Sequence, residues 1–196
     1  MIWGDLKTSI MNTAQDIDLK KEVQGIRTAA VKALIFSTAC FAAGYLLLPK
    51  YMNFPVATFD ALVFVLRVDL FILLWVVVAV GLVAHARRQS SADIRAAAIG
   101  RPSNSIKIKI AFLQNTLEQA FIAIGSHLVL STLVAGPALS LIVVATALFA
   151  VGRITFYRGY PRGAAARAFG MVTTVIPTMV ILGLCLVSLA RIGIAP

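Results

Sequence analysis

Acidic residues are scarce in this chain, eight against eighteen lysines and arginines over 196 residues. Charge of either sign amounts to 13%, about half of the roughly 25% usual in soluble domains. With 60% hydrophobic residues, so little charge cannot keep a folded surface in water, and a soluble domain is excluded. Cysteine is nearly missing. Cys40 and Cys185 stand alone inside separate apolar stretches, at no spacing that a metal or redox motif uses, and read as small packing residues. His85 and His127 are the only histidines, without visible partners, so no metal site is expected. Period-two alternation is also lacking, which excludes a transmembrane β-barrel. No linker divides the chain into two folded domains, and no repeat or low-complexity segment is visible.

What the chain has in quantity is apolar length. Five runs reach the roughly 17–25 residues that a helix needs to cross a bilayer: 31–48, 55–85, 108–134, 137–157 and 168–190. The reading is an all-α integral membrane protein, a compact antiparallel bundle of five spans. Residues 1–30 form a cytoplasmic amino-terminal segment, 31–48 the first span, and 55–191 a four-helix domain. Ala135-Gly-Pro-Ala predicts a tight antiparallel hairpin between spans three and four, and Pro177 predicts a kink in span five.

Basic residues fall in three groups. Lys7, Lys20, Lys21, Arg27 and Lys32 precede or open the first span; Arg87, Arg88, Arg95, Arg101, Lys107 and Lys109 separate spans two and three; Arg153, Arg158, Arg162 and Arg167 lie at or past the end of span four. With five spans all three groups share one side, leaving Lys50 and Arg191 on the other. By the positive-inside rule the amino terminus is cytoplasmic and the carboxyl terminus outside, as in a bacterial inner membrane. Membrane lipids therefore account for the net charge of +10, and nucleic acid is unnecessary as a partner. No cleavable signal peptide is expected, because Asp5, Asp16, Asp18 and Glu22 interrupt the start of the chain. Ile2, Trp3, Leu6, Ile10, Ala14 and Ile17 recur mostly at three and four residues, which predicts an amphipathic helix on the membrane surface or against a partner.

Polar residues inside the spans are few enough to weigh singly. Asn115, Glu118 and Gln119 share a face of span three by their spacing, with Ser126 two turns on. Arg153, Tyr157 and Tyr160 share one near the end of span four. Glu118 is the only acid in the last three spans, and a carboxylate there is either paired with a cation or neutral. Because spans three and four are antiparallel, the start of one and the end of the other lie at one depth, and Glu118 and Arg153 are natural partners. Such a pair can simply orient helices. An amide, a carboxylate, guanidiniums and phenols at one level also suit a zwitterionic, peptide-like ligand. Arg67 and Asp69 lie two residues apart on nearly opposite sides of span two, so each is expected to find its own partner on a neighbouring helix.

Asn115-Thr-Leu-Glu-Gln119, Arg153-Ile-Thr-Phe-Tyr-Arg-Gly-Tyr160, Arg167 and Ala86-Arg-Arg88 together carry a resemblance. Across about 57–190 the chain resembles the membrane-associated proteins in eicosanoid and glutathione metabolism (MAPEG), most closely the leukotriene C4 synthase and microsomal glutathione transferase pattern. The resemblance implies a four-helix protomer, a homotrimer, and glutathione held between subunits on the cytoplasmic side. It assigns Asn115 and Glu118 to the polar ends of glutathione, Arg87 or Arg88 to a carboxylate, Tyr160 to the site wall and Arg167 to the sulfur. Gln119, Arg153 and Tyr157 join the ligand-binding set. The chain departs from the pattern at Ala111, where glutathione-binding members often carry arginine, and at Gln119 and Phe156, where leukotriene C4 synthase has tyrosines. The first span is an addition to the family's four helices.

The function expected is a glutathione-dependent transferase or peroxidase acting on lipophilic electrophiles, with glutathione as co-substrate and no metal. The alternative is a non-catalytic protein of the same fold: a scaffold, a lipid-binding protein or an accessory subunit of a larger membrane complex. A small transporter is disfavoured, because five unequal spans lack paired halves.

Overall fold

The computed structural model describes residues 19–95 and 102–194. The expected amphipathic helix over the first residues lies outside the described part. Among the described residues there are five long helices, two short 3-10 turns and no strand. The helices are α1 (Leu19–Tyr51), α2 (Thr58–Arg88), α3 (Asn104–Leu133), α4 (Ser140–Gly159) and α5 (Ala164–Ile194). The 3-10 turns, Gly136–Leu139 and Tyr160–Arg162, flank α4.

Helix ends outrun the apolar spans because backbone hydrogen bonding does not stop at the hydrocarbon edge. The difference is largest in α1, which begins at Leu19 rather than at residue 31. α5 runs unbroken through Pro177. There Thr174 and Thr178 bond back to the carbonyls of Gly170 and Thr174, at 3.0 and 3.2 Å, covering backbone oxygens in the two turns before the proline.

Four helices (Leu19–Tyr51, Thr58–Arg88, Gly136–Arg162 and Ala164–Gly193) are long and apolar enough to cross a membrane. α3 is of similar length but carries Gln114, Asn115, Glu118, Gln119 and His127. It returns the chain through the bundle between its two ends. At one end the Gly136 N–H bonds the Pro55 carbonyl at 2.8 Å, so the α1–α2 and α3–α4 connections share a level. Leu66, Leu70, Phe71, Leu74 and Val77 of α2, and Leu186 and Val187 of α5, point outward. So much exposed apolar surface belongs against lipid tails or neighbouring spans. This is an all-helical integral membrane protein.

The neighbours are not those that chain order predicts. α2 packs on α3, α3 on α5, α5 on α4, and α4 back on α2. α3 and α4, although joined by a short connection, stand diagonally and touch little. The expected side-by-side hairpin is thus corrected: Gly136, at φ +62°, turns the chain across the bundle. α1 lies outside the ring, along α5 and part of α4.

The closest approach is between α4 and α5. A side chain on Gly152 would run into Thr174 and the Gly170 carbonyl, and one on Gly170 into the Phe156 amide. Small residues let two membrane helices meet backbone to backbone.

One polar contact sits in the interior away from this crossing. His127 Nδ1 lies 2.6 Å from Asp69 Oδ1, both groups almost fully buried. Asp69 has therefore found its partner on a neighbouring helix, as its position opposite Arg67 demanded, and His127 is not a lone histidine. Arg67 faces outward. Cys185 is buried in the core and Cys40 packs on its edge, and no disulfide joins them.

Candidate functional site

Arg153 is the largest fully buried side chain in the described structure. It leaves α4, crosses the middle of the ring, and donates from Nη1 to Asn115 Oδ1 on α3 at 2.7 Å. From Nη2 it donates to Thr174 Oγ1 on α5 at 2.8 Å. Its guanidinium lies 4.9 Å from the Phe156 ring centre and 5.5 Å from that of Phe149. A cation in so apolar a setting must be held by polar groups and ring faces. One side chain thus bridges the diagonal that the backbones leave open.

The expected Glu118–Arg153 pair does not form. Glu118 is exposed and accepts from Gln114 Nε2 at 3.1 Å, one turn away on the same helix. The buried stripe of α3 runs through Phe112, Thr116, Ala120, Ala123, His127 and Leu130. Glu118 sits half a turn from Thr116 and Ala120, so it faces away from the bundle. Asn115 flanks the stripe on the side that Arg153 reaches, and Gln119 is half-buried.

Beside Arg153 lies a cavity of about 350 Å³, lined by Asn115 and Ala111 of α3, Phe156 of α4, Tyr160, Arg167 and Met171 among others. Ile26 of α1 forms part of the same wall. The Arg167 guanidinium lies 4.5 Å from the Tyr160 ring centre. Tyr160 meets Phe156 edge-on at 5.5 Å. An apolar floor with a phenol, an amide and one cation is the usual make-up of a small-ligand site.

Of the residues expected at the site, Asn115, Tyr160 and Arg167 converge on this cavity, with Arg153 tied to its edge. Glu118 and Gln119 are not among its lining residues. Tyr157 turns the other way, with its ring 4.8 Å from that of Phe112. It lines a second cavity of about 300 Å³ with Ser105, Ile108, Lys109, Arg158 and Pro161. Arg88 is exposed, and Arg87 stands by Asp93. Neither lines the first cavity. Asp93 accepts from the Ser103 backbone N–H at 2.8 Å. That N–H, then the Ser103 and Ser90 hydroxyls and Arg87, holds its carboxyl below the ordinary 3.8. Ser103 in turn caps α3 by accepting from the Ile106 N–H at 3.4 Å.

Residues 61–187 match the MAPEG family. The chain belongs to that family. No curated protein and no solved structure matches it. The matched region takes in α2, α3, α4 and most of α5 and leaves α1 outside. Within this MAPEG domain, Thr174 and Met171 complete the site without having been singled out in the sequence. A threonine among apolar helix residues resembles ordinary packing until the arginine facing it is known. Ile26 carried no signal at all, because it belongs to a helix outside the family pattern. Among the described residues no cluster of histidine, cysteine and acids could hold a metal.

Proposed function

We propose that the cavity binds glutathione as co-substrate and that the protein conjugates or reduces lipophilic electrophiles. The observation that carries this reading is the convergence of Asn115, Tyr160 and Arg167 on one cavity in a MAPEG chain. A free thiol has a pKa of about 8.5, and only its thiolate is a strong nucleophile. Arg167, held over Tyr160, is the cation within reach of a sulfur in the cavity and stabilises the thiolate after the proton leaves to water. With an electrophilic carbon, the sulfur forms the S–C bond and the leaving group departs with its electron pair. With a lipid hydroperoxide, the sulfur takes the terminal oxygen and the alcohol leaves. A second thiol then reduces the sulfenic acid, giving a disulfide and water.

Glu118, exposed on a membrane helix, supports a neighbouring subunit over that face, as in a homotrimer. The clustered basic residues support placing the cavity end in the cytoplasm.

The test is ultraviolet absorbance of the purified protein titrated with glutathione. The wild type should develop the thiolate band and Arg167→Ala should not. Unchanged turnover of a broad electrophile panel in Arg167→Ala overturns the assignment.

One observation favours a second reading, a non-catalytic accessory subunit. Asn115 Oδ1 already accepts from Arg153, and Glu118 is bonded to Gln114, so part of the expected ligand set is engaged within the protein. Glutathione binding with no thiolate band and no turnover would decide for that reading.

A further inference from the structure

We infer that α1, the helix outside the family domain, is a built-in wall of the cavity. Glu22 positions it and Ile26 limits what can enter. Glu22 Oε1 accepts from the Ala165 N–H at 2.8 Å, across 143 residues of chain. Ala165 is the second residue of α5, and the first amides of a helix have no acceptor within it. A carboxylate there also meets the positive end of the helix dipole. Gly163, at φ +108°, makes the bend that brings this amide towards α1, and a methyl group on it would stand 3.1 Å from Glu22 Oε1. Gly25 seats the next step: a methyl there would come within 2.7 Å of the Ala165 methyl. Ile26, one turn on from Glu22, then forms part of the wall of the cavity that Asn115, Tyr160 and Arg167 line.

These contacts lay one turn of α1 on the first turn of α5, the turn that carries Arg167. Glu22 therefore acts on the site through Ala165, fixing the turn from which Arg167 reaches Tyr160. Ile26 acts through bulk. The four family helices alone would leave this side of the cavity open, and the fifth closes it with an isoleucine that favours a slim ligand over a branched one. The identity of that ligand rests on the glutathione reading; the closure itself does not.

Two readouts separate the claims. The first is labelling of Ala111→Cys, a cavity position, by a membrane-impermeant maleimide in the full-length protein carrying Cys40→Ala. Glu22→Ala should speed labelling about fivefold, the scale set by loss of a helix cap. Glu22→Gln, which keeps an oxygen acceptor for Ala165, should restore the original rate. Ile26→Trp should slow labelling by a similar factor and keep the melting temperature. Rates within twofold of the parent in both Glu22→Ala and Ile26→Trp would overturn the inference.

The second readout is glutathione binding by calorimetry. Ile26→Trp should abolish it, Glu22→Ala should weaken it about fivefold, and Glu22→Gln should recover it. Binding absent from the wild type would sink the glutathione reading, and the labelling rates would still decide the role of α1.

Discussion

Arg153 of α4 and Asn115 of α3 are bonded at 2.7 Å although their helices are not neighbours in the ring. The arginine side chain supplies the contact that the backbones do not. Removing it takes the donor from Asn115 and Thr174 together, although Thr174 keeps its bond to the Gly170 carbonyl. Arg153→Ala should lower stability by about 1–3 kcal/mol, the range for leaving a buried polar group without its partner. Arg153→Lys should recover little, because one ammonium cannot reproduce a fork aimed at two helices. Thermal unfolding in detergent, followed by circular dichroism, measures both.

Tyr160 carries the Arg167 guanidinium on its ring. Tyr160→Leu should leave the fold intact and weaken thiolate formation in the cavity about two- to fivefold, the scale of a lost cation–π contact. Tyr160→Phe keeps the ring face and should show little loss. Thiolate absorbance against pH reads the difference directly, and equal curves for Leu and wild type would remove Tyr160 from the machinery.

Asp69 and His127 form a hydrogen-bonded pair in the interior. Asp69→Leu and His127→Leu should each destabilise by about 3–5 kcal/mol, since each strands its partner. The double variant should be less damaging than the sum, because nothing is then left unpaired. A double-mutant cycle in melting temperature gives the coupling, and strict additivity would contradict a direct contact.

Asp93 predicts a pH dependence. Its carboxyl titrates below 3.8 in the fold, chiefly through the Ser103 N–H. A depressed acid stabilises the folded form above its unfolded pKa and loses that contribution as pH falls through its folded value. Wild type should therefore shed α2–α3 loop protection below about pH 4, while Asp93→Asn should be weaker at neutral pH and flatter in acid. Hydrogen exchange at the Ser103 amide between neutral and acid pH follows this.

The helical membrane character and the family were legible in the sequence, because apolar length and short motifs are local properties; the resemblance also named Asn115, Tyr160 and Arg167, which meet at the cavity. Which helix stands beside which was not. Chain order favoured α3 against α4, and it paired Glu118 with Arg153 on that premise. The close approach at Gly152 and Gly170 draws α4 to α5 instead, and no spacing within either helix shows that preference. The Asp69–His127 contact was half legible: the acid demanded a partner on another helix, but only packing decides which residue answers. Ile26 was illegible, since an isoleucine in an apolar helix has no distinguishing chemistry.

The diagonal arrangement also governs biosynthesis. α4 leaves the ribosome before the helix that receives it, so Arg153 enters the bilayer with only half its acceptors made. An arginine in the second half of an inserting segment is costly until it is paired, so α4 and α5 should integrate as a unit, with α4 held at the insertion channel until Thr174 has been synthesised.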